Sequence, residues 1–431
     1  MSDDRQEWLG QIAKCVRCGS CRSVCPVFKA TGTENFTARG KVKLIESVAE
    51  GSLDLTRVLQ ERMGSCLMCK ACESGCPSGV KTGELYLSVR RALAERHGLP
   101  LAKKLVFGAL TYRRLFEMGL SLGSVFQHLV LKDAPGGAGK VSRFPIPAAG
   151  LNYRRLLPPL APKPLRAMVP AVSSAGGGAT GRPRARVAFF PGCMLSYVYP
   201  GAGKAVVDIL TANGVEVVLP EALCCCGVPA YTSGDFAAAR YLAGRNVDAL
   251  SAGGFDAVIT GCATCGSALK HEYGLVIEDP QERERWENLS GKVHDVAQYL
   301  ADTGYSTDFG EVRAKITYHD PCHLIRGMGV AQAPRDMLKA IPGVEFAEMK
   351  DAASCCGCAG SFSLTHYGMS RTINDAKIKA IADTGAQTLV TGCSACRMHI
   401  ADGLARNTSG VEAVHTAQFI AKAYRAAKKR A

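Results

Sequence analysis

The sequence predicts an α+β multidomain chain, a helical N-terminal unit followed by a duplicated α/β unit built on parallel sheets. Three observations carry that expectation. Two runs of the form C-x2-C-x2-C-x3-C-P lie before residue 80. A five-cysteine figure occurs twice in the second half, its matched cysteines 129 to 131 residues apart. Around each copy, short apolar runs alternate with helix-patterned segments, the order of a parallel sheet with helical crossovers. The boundaries fall at 1–96, 97–185, 186–305 and 306–431.

A chain of 431 residues suits two to three domains, each able to bury its own core. No run of about 18 uninterrupted apolar residues exists, so no transmembrane helix is expected. The N-terminus, Met1 to Glu7, is polar and acidic and fits neither a Sec nor a twin-arginine signal. The expected location is therefore the cytoplasm. Twenty cysteines in a reducing compartment read as metal ligands rather than disulfides. Only Cys224 and Cys358 fall outside ligand-type spacings, and each lies within two residues of a Cys-Cys-Gly.

Residues 1–96 carry Cys15-x2-Cys18-x2-Cys21-x3-Cys25-Pro26 and Cys66-x2-Cys69-x2-Cys72-x3-Cys76-Pro77. This is the bacterial ferredoxin run, in which the fourth cysteine of each motif reaches across to the other cluster. Cys15, Cys18, Cys21 and Cys76 are assigned to one [4Fe–4S] cubane, and Cys66, Cys69, Cys72 and Cys25 to the other. A zinc ribbon has no use for eight thiolates in two such runs. Between the motifs, Val42, Leu44, Ile45 and Val48, then Leu53, Leu55, Val58 and Leu59, recur at helix spacing. Leu85 to His97 continues as a helix. The unit is therefore a helical two-cluster ferredoxin domain, and two clusters in one small unit serve as a conductor.

Residues 97–185 form a basic connector. Fourteen Lys/Arg stand against Glu117 and Asp133 between Gly98 and Arg186, so this stretch holds most of the net charge of +14. Helices are expected across Leu101 to Leu131. Pro135-Gly136-Gly137, Pro158-Pro159 and Ser173 to Gly178 have linker composition. Two readings of the charge stand: a solvated face, or docking to an acidic partner or anionic membrane surface. No nucleic acid is expected, because aromatic interleaving is missing. Ala175 to Thr180 lacks the Gly-Lys-Ser/Thr ending of a phosphate loop.

The first five-cysteine set is Cys193, Cys225, Cys226, Cys262 and Cys265; the second is Cys322, Cys355, Cys356, Cys393 and Cys396. Arg186 to Phe190 and Lys315 to His319 read as buried strands with a cysteine just past the C-terminal tip. Edge-like strands follow at Val215 to Leu219 and Val344 to Phe346. Helices follow at Phe236 to Leu250 and Thr372 to Ala382, then apolar runs into Gly261-Cys262 and Gly392-Cys393. Ligands gather beyond the C-terminal ends of such strands. One basin of five thiolates per half results, with Gly227 and Gly357 letting the Cys-Cys loops approach closely. Five thiols exceed a cubane's four, which points to an unusual cluster. His319 and His323 flank Cys322. They read as strand-end or helix-start histidines bonded to backbone, with proton donor or cluster neighbour as the alternative. His294 and His415, at matched positions, read as packing residues.

These residues resemble a known family. The two halves are similar to the cysteine-rich CCG domains of heterodisulfide reductase and of iron–sulfur subunits of flavin-linked oxidases. Cys15 to Gly19, Ala38-Arg39-Gly40-Lys41 and Cys76-Pro77-Ser78-Gly79-Val80 look like the glycolate oxidase iron–sulfur subunit. The resemblance implies an oxidoreductase subunit of a glycolate or D-lactate oxidase-type complex. An FAD-containing partner subunit oxidises the hydroxy acid, and this chain passes electrons towards a membrane quinone or another carrier. It implies two cubanes at the N-terminal cysteines and a noncubane [4Fe–4S] cluster at each complete CCG set. A peripheral contact at the inner face of the membrane, through the basic connector, goes with it. The chain has no dinucleotide fingerprint after a strand, so neither FAD nor NAD is expected on it. Glycolate and lactate oxidase subunits typically lack one late cysteine of the first CCG set. This chain keeps both Cys262 and Cys265, which favours the alternative of a heterodisulfide reductase-like subunit reducing a disulfide at a CCG-bound cluster.

Overall fold

The computed structural model describes residues 2–134, 139–144, 155–174, 183–407 and 410–429. The linker stretches Pro135-Gly136-Gly137 and Ala175 to Thr180 lie outside the described residues.

The N-terminal unit is all helix: α1 (Ser2–Ile12), α2 (Ser20–Val24), α3 (Pro26–Thr31), α4 (Ala38–Ala49), α5 (Arg57–Gly64), α6 (Ala71–Ser74) and α7 (Thr82–His97). Thr37 caps α4 by accepting from the Gly40 N–H, and Thr56 caps α5 by accepting from Leu59. The expected periodicity is met: Val42, Ile45, Val48, Leu55 and Leu59 are buried together with Leu85, Val89 and Leu93 of α7. Val58 points outward.

The connector begins with the expected helices, α8 (Leu101–Thr111) and α9 (Arg113–Val130). Strand β1 (Leu131–Asp133) then pairs antiparallel with β2 (Lys140–Ser142). A third connector strand, β3 (Val172–Ser173), joins the first cysteine-rich half, where it lies antiparallel to β5 (Val215–Val218). That sheet runs β3-β5-β4-β6-β7, with β4 (Ala185–Phe190), β6 (Ala257–Thr260) and β7 (Val293–Asp295) parallel to β5. The stretch at Val215 is expected as an edge, but two residues of the connector, Val172 and Ser173, cover it. The second sheet runs β11-β10-β8-β9, all parallel, from β8 (Ala314–Tyr318), β9 (Val344–Phe346), β10 (Thr388–Thr391) and β11 (Glu412–His415). Here β9 is an edge, as expected.

The inner strands β4, β6, β8 and β10 are almost wholly buried towards their C-terminal ends, which is why they read as continuous apolar runs. The first half's Val187, Phe189 and Ile259 share one core with the second half's Ile316, Tyr318 and Val390. The halves thus pack as one body. The helical unit is bound to it by buried polar contacts: Arg90 donates to the Thr232 carbonyl at 2.6 Å, and Lys70 pairs with Glu272 at 2.5 Å. Arg155 of the connector donates to the Ser363 carbonyl at 2.7 Å, and the Leu156 N–H to Asp402 at 2.7 Å.

Candidate iron–sulfur centres

All twenty cysteines are free thiols. In the N-terminal unit they face two cavities. Cys15, Cys18, Cys21 and Cys76 line one, with Arg39 on its wall. Cys25, Cys66, Cys69 and Cys72 line the other, with Lys41 and Tyr86 on its wall. The crossed pairing of fourth cysteines is the grouping expected from the motif. The loops that present them repeat one backbone alternation. Arg17 and Gly19 in the first, and Met68 and Lys70 in the second, take positive φ of 56°, 85°, 52° and 57°. Such turns aim successive N–H groups inward, and the Met68 N–H sits 3.4 Å from the Cys66 sulfur.

The Arg39 and Lys41 side chains are functional neighbours that the sequence offers only as part of the Ala38 to Lys41 stretch. Lys41 is buried, its ammonium donating to the Phe36 carbonyl at 2.6 Å. Burial lowers its pKa, against the pull of Cys66 and Cys25. A cation beside each thiol group offsets negative charge gathered there.

In each C-terminal half the strand-tip cysteine opens a single π-helical turn, Met194–Val198 after Cys193 and His323–Gly327 after Cys322. Such turns are frequent at functional sites. The Cys-Cys loop returns through Gly227 (φ +79°) and Gly357 (φ +89°). A Cβ on Gly357 would sit 2.7 Å from the Ser370 carbonyl oxygen. The third cysteine pair caps a helix N-terminus, Ala263–Lys270 after Cys262 and Ser394–Arg406 after Cys393. The five thiols of each set converge, each adjoining the next: Cys193 by Cys225, Cys225 by Cys226, Cys226 by Cys265, and Cys265 by Cys262. The second set repeats the order through Cys322, Cys355, Cys356, Cys396 and Cys393.

The sets also meet one another. Cys262 of the first contacts Cys393 of the second, and the Thr264 hydroxyl lies 3.6 Å from the Cys393 sulfur. Cys69 of the N-terminal unit contacts both Cys322 and Cys355. Arg326 locks that junction, donating to the Cys69 carbonyl at 3.3 Å and the Ala353 carbonyl at 2.8 Å. A line of neighbouring thiols therefore runs from Cys193 through both basins to Cys69.

The residues fit iron–sulfur clusters. Burial pushes the Cys72 thiol up to about 12. Hydrogen bonding to Cys355, with burial, drives Cys322 well up. Thiols shifted upward this way resist ionisation until a metal supplies compensating charge, while hydrogen bonds from neighbouring thiols lower Cys226, Cys356 and Cys393 and favour their thiolates. The two spare cysteines differ. Cys224 hydrogen-bonds Asn246 Oδ1 and the Leu242 carbonyl at 3.4 and 3.5 Å, as a structural thiol does. Cys358 is buried beside Cys356 and Cys393.

The histidines divide as well. His415 is a packing residue with two partners, the Gly261 carbonyl at 2.7 Å and the Ala417 N–H at 3.2 Å. His294 lies half-buried against the Tyr299 ring. His323 sits near the Lys70–Glu272 pair, its pKa lowered by burial. His319 does not follow the expectation of a ring bonded to backbone: neither ring nitrogen has a hydrogen-bond partner.

A helical unit with eight crossed cysteines, joined to two facing CCG basins, defines an iron–sulfur oxidoreductase subunit. The 4Fe-4S dicluster domain family matches residues 11–80, and the cysteine-rich CCG domain family matches residues 187–270 and 316–401. The chain belongs to the CCG-domain iron–sulfur subunits of the glycolate oxidase type. It is 31% identical to the probable glycolate oxidase iron–sulfur subunit of Bacillus subtilis, over 96% of this chain and 94% of that one. It is 28% identical to a fumarate reductase (CoM/CoB) subunit of Methanothermobacter marburgensis, over 96% of this chain and 73% of that one. Lactate utilization protein A of Shouchella clausii is 32% identical over 54% of this chain and 98% of its own length.

Proposed function

We propose that this chain is the electron-transfer subunit of a flavin-dependent 2-hydroxyacid dehydrogenase acting on glycolate or D-lactate. The hydroxy acid is oxidised on an FAD-containing partner subunit, and electrons leave towards a quinone or another carrier. The line of neighbouring thiols from Cys193 to Cys69 is the observation that carries this reading. In it, Cys15, Cys18, Cys21 and Cys76 hold one cubane and Cys25, Cys66, Cys69 and Cys72 the other. Each complete five-cysteine set holds a further, noncubane cluster. Clusters bound there supply one-electron carriage. The chain's own part is to fix their spacing, bury them from water and balance their charge through Arg39 and Lys41. The names of the Bacillus and Shouchella relatives, glycolate oxidase and lactate utilization, support the hydroxyacid substrate class.

The connector supports a peripheral membrane contact. No described helix is long and apolar enough to cross a membrane. Yet Leu115, Met118, Leu122, Val125, Phe126 and Leu129 of α9 are all more than half exposed. They share one helix face, while Gln127 turns inward to bond Leu160. With Lys104 and Arg114 exposed nearby, this is the pattern of a helix lying in an anionic lipid interface.

Anaerobic pull-down of the tagged native protein, with flavin fluorescence and substrate-dependent dye reduction on the eluate, tests the reading. An FAD protein and reduction driven by glycolate or D-lactate are expected; neither acid driving reduction refutes it. A second reading, a subunit reducing a disulfide at a CCG-bound cluster, is favoured by the completeness of both thiol sets. It requires turnover of a low-molecular-weight disulfide by the reduced protein.

A further inference from the structure

The two CCG basins are copies, but one position beside them differs in kind. His319 follows β8 directly, three residues before Cys322. Its counterpart 129 residues earlier is Phe190, which ends β4 three residues before Cys193. Both side chains are fully buried. Phe190 brings no polar atom to the first basin. His319 brings two ring nitrogens to the second; neither makes a hydrogen bond of ordinary length, and the Cys356 sulfur is a neighbour they face.

The backbone gives His319 no freedom to seek one elsewhere. Its N–H donates to the Val390 carbonyl at 3.0 Å, and its carbonyl accepts from the Thr391 hydroxyl at 3.2 Å. It is thus pinned against β10, with its side chain directed at the Cys-Cys loop. A ring nitrogen of His319 and the sulfurs of Cys356 and Cys396 all lie within 4.8 Å of one another. A buried imidazole with no partner at either nitrogen is costly. The acceptor within reach is the Cys356 sulfur, which becomes available as that thiol gives up its proton on binding a metal.

We propose that His319 holds an imidazole N–H against the Cys356 sulfur of the second CCG centre, giving that centre a hydrogen-bond donor that the first one lacks. The inference rests on the reading that each basin binds a cluster. No bond is made or broken by the contact. A donor to a ligand sulfur stabilises the electron-richer, reduced state and raises the potential. The second centre, which adjoins Cys69, is therefore easier to reduce than the first, which carries phenylalanine instead. His319 is a positioning residue in this sense, and the sequence difference between copies becomes a difference in redox order along the thiol line.

The test uses the anaerobically purified, iron-replete chain as parent, His319→Phe (copying the first repeat) and His319→Gln (which keeps an N–H). Iron and sulfide per chain, an EPR-monitored redox titration and deuteron couplings after exchange into D2O are read for each. The second centre's signal is assigned by its loss in Cys322→Ser. The expected result is unchanged iron, a lower midpoint potential in His319→Phe with loss of an exchangeable deuteron coupling, and a midpoint near the parent in His319→Gln. Full iron with unmoved potential and coupling in His319→Phe overturns the proposal. If His319→Phe sheds iron, His319→Gln decides: a midpoint near the parent supports the donor role, and a marked fall at full iron overturns it. A nitrogen-15 coupling of directly bonded size in histidine-labelled parent overturns the hydrogen-bond assignment in favour of ligation. Parent protein with iron only at the eight N-terminal cysteines overturns the cluster reading beneath the proposal, and the role of His319 with it.

Discussion

The loop that carries Cys322 hangs on a buried ion pair, and removing its cation is the sharpest structural test of how the second basin is held. Arg335 donates to both Asp320 oxygens at 2.7 and 2.8 Å and to both Glu348 oxygens at 2.8 and 3.0 Å. The Arg335 and Asp320 side chains are 11% and 6% exposed, whereas Glu348 is 51% exposed. The Glu348 half of the fork is therefore screened and is worth about 0–1 kcal/mol. The Asp320 half dominates, because Arg335→Met strands a carboxylate in the interior, a loss of about 3–5 kcal/mol. At about 2–4 °C per kcal/mol, the melting temperature should fall by about 6–20 °C. Iron held by the second set should fall with it, since Asp320 lies two residues before Cys322. Thermal melts followed by circular dichroism, with iron counts per chain, provide the assay. The double variant Asp320→Asn/Arg335→Met removes the stranded charge and should regain much of the loss. If Arg335→Met costs under about 1 kcal/mol, or the double variant is no better than the single, the reasoning about a charge-supported loop is wrong.

Four further outcomes are expected. Gly357→Ala should shed iron from the second set, because φ +89° disfavours alanine and its Cβ meets the Ser370 carbonyl at 2.7 Å. Gly329→Ala, at φ +73° with nothing within 4 Å, should cost only the backbone term of about 1–2 kcal/mol and keep its iron. Burial lowers the pKa of His415 from 6.5 to about 4, so the native state binds fewer protons than the unfolded one between those values. Its stabilising contribution is present above pH 6.5 and lost as pH falls towards 4, by about 3 kcal/mol, and His415→Gln should flatten that part of a stability–pH profile. Leu122→Glu/Phe126→Glu should reduce sedimentation with anionic vesicles while leaving the iron count unchanged; equal sedimentation would remove the membrane contact.

Much of this site was legible in the sequence because the grouping of its thiols is written locally. Three cysteines at spacing two, then a Cys-Pro, fix which thiols share a cavity, and the crossing of Cys25 and Cys76 follows from that pattern alone. The duplication was equally plain, since each half repeats strand, cysteine and Cys-Cys-Gly at a near-constant offset. What escaped was set by long-range packing. Val172-Ser173 became a strand only because β5 offered it a partner. Which face of α9 would stay uncovered depends on Gln127 finding the Leu160 backbone, and no periodicity records that. The contact of Cys69 with Cys322 and Cys355 joins residues more than 250 positions apart. The difference between His319 and Phe190 was visible on aligning the copies, but its meaning needed the orphaned ring nitrogens.

The central claim is that this chain conducts electrons from a flavin site, and mixing the purified complex anaerobically with glycolate or D-lactate tests it most directly. Freeze-quenched samples would be read by EPR for the chain's clusters and by absorbance for the flavin. The expected result is cluster signals appearing after flavin reduction and within the turnover time. Flavin reduction and sustained dye turnover with the clusters still oxidised would contradict it, because electrons would then be leaving by another route.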